Sequence, residues 1–350
     1  MVFVASTLAS VLLVEMVFRV FEIRPMEVQR REFDPIMPIT RTGGQPSRVM
    51  RPNVDTNQVY YTCREGECSE DRRIPFRTNA MGWRDEDVAL RKAPNTVRIV
   101  VLGDSFTAGD GVPEERIYAE VLEDLLNERY GGRYLFQVLN TGVQGTSTYD
   151  QWYLLQSQAM QFDPDMILVG MYPNDTMTQS AVHIVSPAAS NVRVDLAYPQ
   201  KWYLDKWIES FAYNQMTYSA TLDMYEGLWD AGRNPQGVSQ WIQAMNSLGR
   251  NQQERRIPTL ILLFPWLNML DETYPFGGIH EQIASKAQEV GIEVLDLLPI
   301  YSSLDPMPPI WCHESDHHPS VELHRTAAES VYDRLLADPE SWHLPEPGDG

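Results

Sequence analysis

The chain has 350 residues, of which 43% are hydrophobic and 22% charged, and its formal net charge at pH 7 is −20. That length suits one large domain with additions or two modest domains, with a full core. So acidic a surface excludes nucleic acid as a partner and disfavours anionic lipid except through a dedicated anchor.

Residues 1–14 carry no charged side chain, and Glu15 and Arg19 then follow four apart, on one helical face. The uncharged run makes a helix of about 21 Å, and continuing it to Ile23 gives about 33 Å, against roughly 30 Å of hydrocarbon. No small-x-small cleavage site follows, so residues 1–23 read as an uncleaved N-terminal membrane anchor. Arg19, Arg24, Arg30 and Arg31 all follow the apolar run. The positive-inside rule would keep the body cytoplasmic, although long domains override it.

Residues 24–95 are rich in Arg, Pro, Asn and Asp and read as an extended arm. Short strands are expected at Val59–Thr62 and Ile74–Arg77, flanking a loop closed by Cys63 and Cys68, and a turn at Asn79–Arg84. The cysteine pair fits a small disulfide loop or two free thiols, and Cys312 stands apart.

From residue 96 to 340 the pattern is that of a parallel α/β sheet covered on both faces. Five short apolar runs predict buried strands: Val97–Leu102, Phe136–Leu139, Met166–Val169, Leu260–Phe264 and Ile292–Leu295. Helices are expected at 114–129, 149–160, 279–290 and 321–336. Residues 176–256, with Trp202, Trp207, Trp229 and Trp241, interrupt the alternation and read as an inserted helical cap, helical near 201–231 and 236–253.

In open parallel sheets, ligands bind beyond the carboxyl ends of the strands. Four polar segments fall at such ends or just before the last helix: Gly103–Thr107, Asn140–Gly145, Tyr172–Asp175 and Asp316–Pro319. A serine hydroxyl needs a base, the base needs an orienting carboxylate, and the tetrahedral intermediate needs donors at its oxyanion. Ser105 is the candidate nucleophile, His318 the base and Asp316 its orienter. The backbone N–H groups of Ser105 and Gly142 and the side-chain amide of Asn174 are the candidate oxyanion donors. Glycine at 142 lets the backbone approach the substrate closely. His317 rivals His318, and Asp175 reads as a structural partner. Each segment has a plainer reading: Gly-Asp-Ser and Asn-Asp occur in ordinary turns, and Asp316 could cap the helix starting near Ser320. Cys312, His313, His317 and His318 could suggest a metal, but no helical ligand pair accompanies them, and the constellation calls for neither metal nor cofactor.

These segments resemble the blocks of the SGNH hydrolases, also called GDSL esterases and lipases. Gly103-Asp104-Ser105 matches the first block and Gly142 the second. Asn174-Asp175 matches the third, with Tyr172 where the family has glycine, and Asp316 with His318 matches the last. The resemblance spans residues 97–336 and implies a three-layer flavodoxin-like fold with a five-stranded parallel sheet. Residues 79–105 are similar to membrane-anchored bacterial members, which implies a catalytic domain outside the cytoplasm. The expected activity is hydrolysis of small acyl esters, with O-acetyl groups of glycans as one substrate class. The alternatives are an O-acyltransferase using the same residues on a sugar hydroxyl, and a non-catalytic, membrane-tethered binding protein.

Overall fold

The structure is a computed structural model and describes residues 2–20, 30–33, 49–64, 67–177, 219–271, 273–313 and 316–345. It opens with helix α1 (Val2–Val20). Among the described residues no helix is long and apolar enough to cross a membrane, so the span expected over residues 1–23 is not supported. Glu15 and Arg19 both lie within α1, and Glu15 is buried.

The arm is a three-stranded antiparallel sheet of β1 (Arg30–Phe33), β2 (Asp55–Arg64) and β3 (Glu67–Arg77), in that order. The β2–β3 hairpin is longer than its two apolar patches suggested, because backbone pairing continues through polar residues on both strands. Cys63 and Cys68 are register partners in that ladder, and their thiols lie outside the described side chains. The turn after β3 is built on Asn79, whose Oδ1 accepts the N–H groups of Met81 and Trp83 at 2.9 and 3.0 Å.

The main sheet follows: β4 (Thr96–Gly103), α2 (Ser105–Ala108), α3 (Tyr118–Tyr130), β5 (Leu135–Asn140), α4 (Thr148–Ser157) and β6 (Met166–Met171). Residues 219–229 form helix α5. Then come α6 (Pro235–Arg255), β7 (Thr259–Leu263), α7 (Gly277–Val290), β8 (Glu293–Asp296) and α8 (Leu297–Ser302). The chain closes with a small antiparallel pair, β9 (Trp311–His313) and β10 (Asp316–Pro319), and α9 (Val321–Ala337).

All five expected core strands are present, parallel, in the order β5-β4-β6-β7-β8. The chain steps from β4 to β5 on one side and then crosses back to β6 on the other. Right-handed crossovers therefore put α3 on one face and α4 on the opposite face. Helix α9 packs beside α3, while α4, α6 and α7 form a row. Cover on both faces explains why β4, β6 and β7 are buried almost end to end.

The expected cap divides in two. Residues 178–218, with Trp202 and Trp207, lie outside the described residues. Helix α6, read from the sequence as part of the insertion, instead belongs to the helix layer between β6 and β7. Its buried stripe of Trp241, Ala244, Met245 and Leu248 has the i, i+3, i+4, i+7 spacing of a sheet-covering helix. Trp229 meets Trp241 edge-on at 4.9 Å, which ties α5 to the same layer.

Candidate functional site

Strand β4 drives into the core and α2 turns away from it at once. From Val97 to Val112 every residue is buried except Ser105. The turn is held by Asp104, which caps α2: its Oδ1 accepts Phe106 N–H at 2.9 Å and its Oδ2 accepts Asn174 Nδ2 at 3.0 Å. Burial raises the Asp104 carboxyl above its usual range, against the pull of those hydrogen bonds and of His318. Ser105 is the first residue of α2, so its N–H has no acceptor within the helix and stands at the positive end of the helix dipole.

Asp316 and His318 lie on β10, which the sequence reading did not foresee as a strand. His318 Nε2 is 2.8 Å from Ser105 Oγ, and His318 Nδ1 is hydrogen-bonded to Asp316 Oδ1. Residues 213 apart thus form one serine–imidazole–carboxylate line at the carboxyl end of β4. The helix-cap reading of Asp316 does not hold, because Ser320 caps α9 by accepting Leu323 N–H at 3.2 Å. His317 points elsewhere: it is exposed and stacks on Trp311 with ring centroids 4.1 Å apart.

The three candidate oxyanion donors stand around α2 in different states. Gly142 packs on its backbone; a Cβ there would lie 2.4 Å from Ala108 N and 2.8 Å from Thr107 C. Close contact with helix α2 therefore itself calls for glycine at 142. The Gly142 N–H is held by Asn140 Oδ1 at 3.1 Å, and Asn140 Nδ2 donates to Thr107 O at 2.9 Å. Asn174 Nδ2 gives one hydrogen to Asp104 and keeps a second. Asp175 is fully buried and accepts from Gln151 Nε2 and Tyr172 N–H, each at 3.1 Å, as a structural partner would. Burial and then the neighbouring Asp104 hold its carboxyl well above the usual range.

Aromatic rings fill the space beside the serine. Phe106 stacks on Tyr172 at 4.1 Å, meets Phe264 at 5.5 Å and lies 5.3 Å from the His318 ring. Tyr172, where the family pattern has glycine, reaches Tyr225 of α5 through a hydroxyl contact of 3.3 Å.

The arm supplies two further side chains. Arg84 is fully buried and donates to the carbonyls of Ala108, Gly109, Val112 and Pro75, so it bonds the orphan carbonyls at the end of α2. Tyr60 of β2 donates to Asp316 Oδ2 at 2.8 Å. The sequence signal for Arg84 was its place in the Asn79–Arg84 turn, while Tyr60 left none. Among the described residues no group of three or more His, Cys, Asp or Glu side chains is arranged to hold a metal ion.

A family model described as GDSL-like Lipase/Acylhydrolase matches residues 99–200. The match supports the GDSL lipase/acylhydrolase family. It takes in three of the GDSL segments, those of Ser105, Gly142 and Asn174, and ends before Asp316 and His318. No curated protein matches the chain. Among solved structures, the lipase/acylhydrolase from Enterococcus faecalis is similar at 13% identity and TM-score 0.43, over 73% of this chain and 100% of that one. An acetyl xylan esterase, AlAXEase, is similar at 15% identity and TM-score 0.43, over 68% of this chain and 100% of that one. A two-domain esterase active on acetylated mannans is similar at 13% identity and TM-score 0.41, over 73% of this chain and 52% of that one. The three-layer α/β fold rests on the strand order above rather than on likenesses of this size.

Proposed function

We propose that the protein is a serine esterase that hydrolyses small acyl esters, with Ser105 as nucleophile, His318 as general base and acid, and Asp316 as its orienter. The observation that carries this reading is the 2.8 Å contact between His318 Nε2 and Ser105 Oγ, with His318 Nδ1 bonded to Asp316. Ser105 Oγ attacks the ester carbonyl as its proton passes to His318 Nε2, and Asp316 steadies the imidazolium. The oxyanion takes up the Ser105 N–H, the second Asn174 Nδ2 hydrogen and the Gly142 N–H, the last by sharing its bond with Asn140. His318 returns the proton to the departing alcohol. Water, deprotonated in the same way, then releases the acid and restores Ser105.

A short acyl group is favoured by the packing. The rings of Phe106, Tyr172 and Phe264 are buried and packed on one another beside Ser105, which we read as leaving room for a short acyl group. O-acetyl groups on a glycan are the substrate class we propose, and the resemblance at residues 79–105 supports an extracytoplasmic site of action.

The test is a para-nitrophenyl ester panel of rising chain length, with acetylated sugars, run on the native chain and Ser105→Ala. We expect acetate to be the best ester and Ser105→Ala to lower turnover by about 10^4–10^6-fold. An undiminished rate in Ser105→Ala would end this reading. Faster acyl transfer to an added sugar than to water would replace hydrolysis by O-acyltransfer.

A further inference from the structure

Tyr60 and Asp316 are 256 residues apart, and their contact joins the arm to the candidate catalytic line. The Asp316 carboxylate is buried, and each oxygen has a different donor: Oδ1 takes His318 Nδ1 and Oδ2 takes the Tyr60 hydroxyl at 2.8 Å. A carboxylate held at one oxygen can turn about its Cβ–Cγ bond, whereas a donor on each oxygen fixes its plane. That plane sets the tilt of the His318 ring, and the tilt sets whether Nε2 faces Ser105 Oγ.

The surroundings fit this hydroxyl closely. Tyr60 is fully buried, with its ring 4.7 Å from that of His313. Gly111 has φ +82°, and a Cβ there would lie 2.8 Å from Tyr60 Oη and 2.2 Å from Cys312 Sγ. The hydroxyl therefore occupies a space that any larger residue at 111 would close. Gln58, two residues before Tyr60 on β2 and so on the same side of the sheet, grips the loop after α2. Its Nε2 donates to Asp110 Oδ1 at 2.9 Å and its Oε1 accepts Gly111 N–H at 2.8 Å. On β3, Arg72 donates to Cys312 O at 2.5 Å, and Asp71 meets His313 Nε2 at 2.8 Å. The β2–β3 hairpin thus grips both the serine's loop and the β9–β10 pair that carries the acid and base.

We propose that Tyr60 is a positioning residue that fixes the Asp316 carboxylate and, through it, the imidazole of His318. It lies outside the segment matched by the GDSL model, which begins at residue 99. Among the described residues, the charged and titratable groups around this pair include His318 on β10, Cys312 and His313 on β9, Asp71 and Arg72 on β3, and Asp104 and Asp110 beside α2; His317 feels the Asp316 charge although its ring is turned onto Trp311. The proposal rests on the esterase reading.

The test uses the full chain. Competent centres are counted by fluorophosphonate titration, and para-nitrophenyl acetate hydrolysis per centre is followed across pH. Tyr60→Phe removes one oxygen. We expect kcat per centre to fall about tenfold with KM within about twofold. The acid limb of kcat/KM should move to higher pH, because a carboxylate without its outer donor holds the imidazolium proton more tightly. In an Asp316→Ala background the same change should cost less than about twofold. A residue that only supported folding would lower the count of centres and leave the rate per centre and the pH profile in place. Should Tyr60→Phe not fold, 3-fluorotyrosine at position 60, a stronger donor, should move the acid limb to lower pH. An unmoved limb in whichever protein is obtained, or equal losses with and without Asp316, overturns the proposal. A native chain whose Ser105 takes no fluorophosphonate overturns the esterase reading along with it. A labelled, active native chain matched by Tyr60→Phe overturns this inference alone.

Discussion

Replacing Arg84 with methionine should destabilise the fold strongly although Arg84 touches no candidate catalytic atom. Its guanidinium donates to four carbonyl oxygens, three of them in the turn that ends α2, and sits 4.5 Å over the Phe76 ring. Each net hydrogen bond is worth roughly 1 kcal/mol, and an orphaned buried carbonyl costs about as much again. Burial of the cation offsets part of this, and that same burial lowers the Arg84 pKa. The balance is about 4 kcal/mol, which corresponds to a fall of roughly 8–16 °C in Tm for a domain of this class. Arg84→Lys should fall between, because an ammonium is a point donor and reaches fewer of the four carbonyls. Thermal unfolding followed by circular dichroism, with denaturant midpoints as a check, measures it. A loss below about 1 kcal/mol for Arg84→Met would refute the view that this cation holds the serine's turn together.

Asn174→Ala should slow ester turnover by about 10^2–10^3-fold with little change in KM, read by steady-state kinetics, since it removes a donor that matters at the oxyanion. It should also loosen the serine turn slightly, because Asn174 supports Asp104. Gly142→Ala should cost about 1–3 kcal/mol in a denaturant titration, since its Cβ would meet the backbone of Thr107 and Ala108 as well as Thr107 Cγ2. Glu120 has its pKa raised to about 9, first by burial and then by Asp85 and Glu123. A carboxyl raised on folding contributes stability that is complete below its unfolded pKa and lost as pH rises through the folded one. Glu120→Gln should therefore leave Tm nearly unchanged near pH 4 and raise it increasingly towards pH 9; a pH-independent effect would contradict this.

The sequence carried the sheet because each core strand is a short apolar run ending in polar residues, as at Val97–Gly103 and Met166–Met171. It carried the serine line because Ser105, Asn174 and Asp316–His318 each lie in a compact local pattern. What stayed hidden depends on pairing between distant residues. Tyr60 and Gln58 act by meeting groups far along the chain, and a polar strand with alternating partners has no period to reveal that. Helix α6 reads as part of the insertion because residues 176–256 interrupt the strand–helix alternation, although its stripe of Trp241, Met245 and Leu248 has the spacing of a layer helix. The β9–β10 pair escaped because strands of three and four residues carry too few side chains to alternate visibly. The N-terminal span is not supported, since no described helix is long and apolar enough to cross a membrane.

The link between Tyr60 and Asp316 also orders events during synthesis. The β2–β3 hairpin leaves the ribosome early, and its partner carboxylate follows 256 residues later. At about 5–20 residues per second, that is an interval of roughly 13–50 s. Through that interval Ser105 has no His318 beside it, and the hairpin has no β9–β10 pair to grip. On the proposed reading the unfinished chain lacks its base, and Ser105 meets His318 only once the last strand pair has been made.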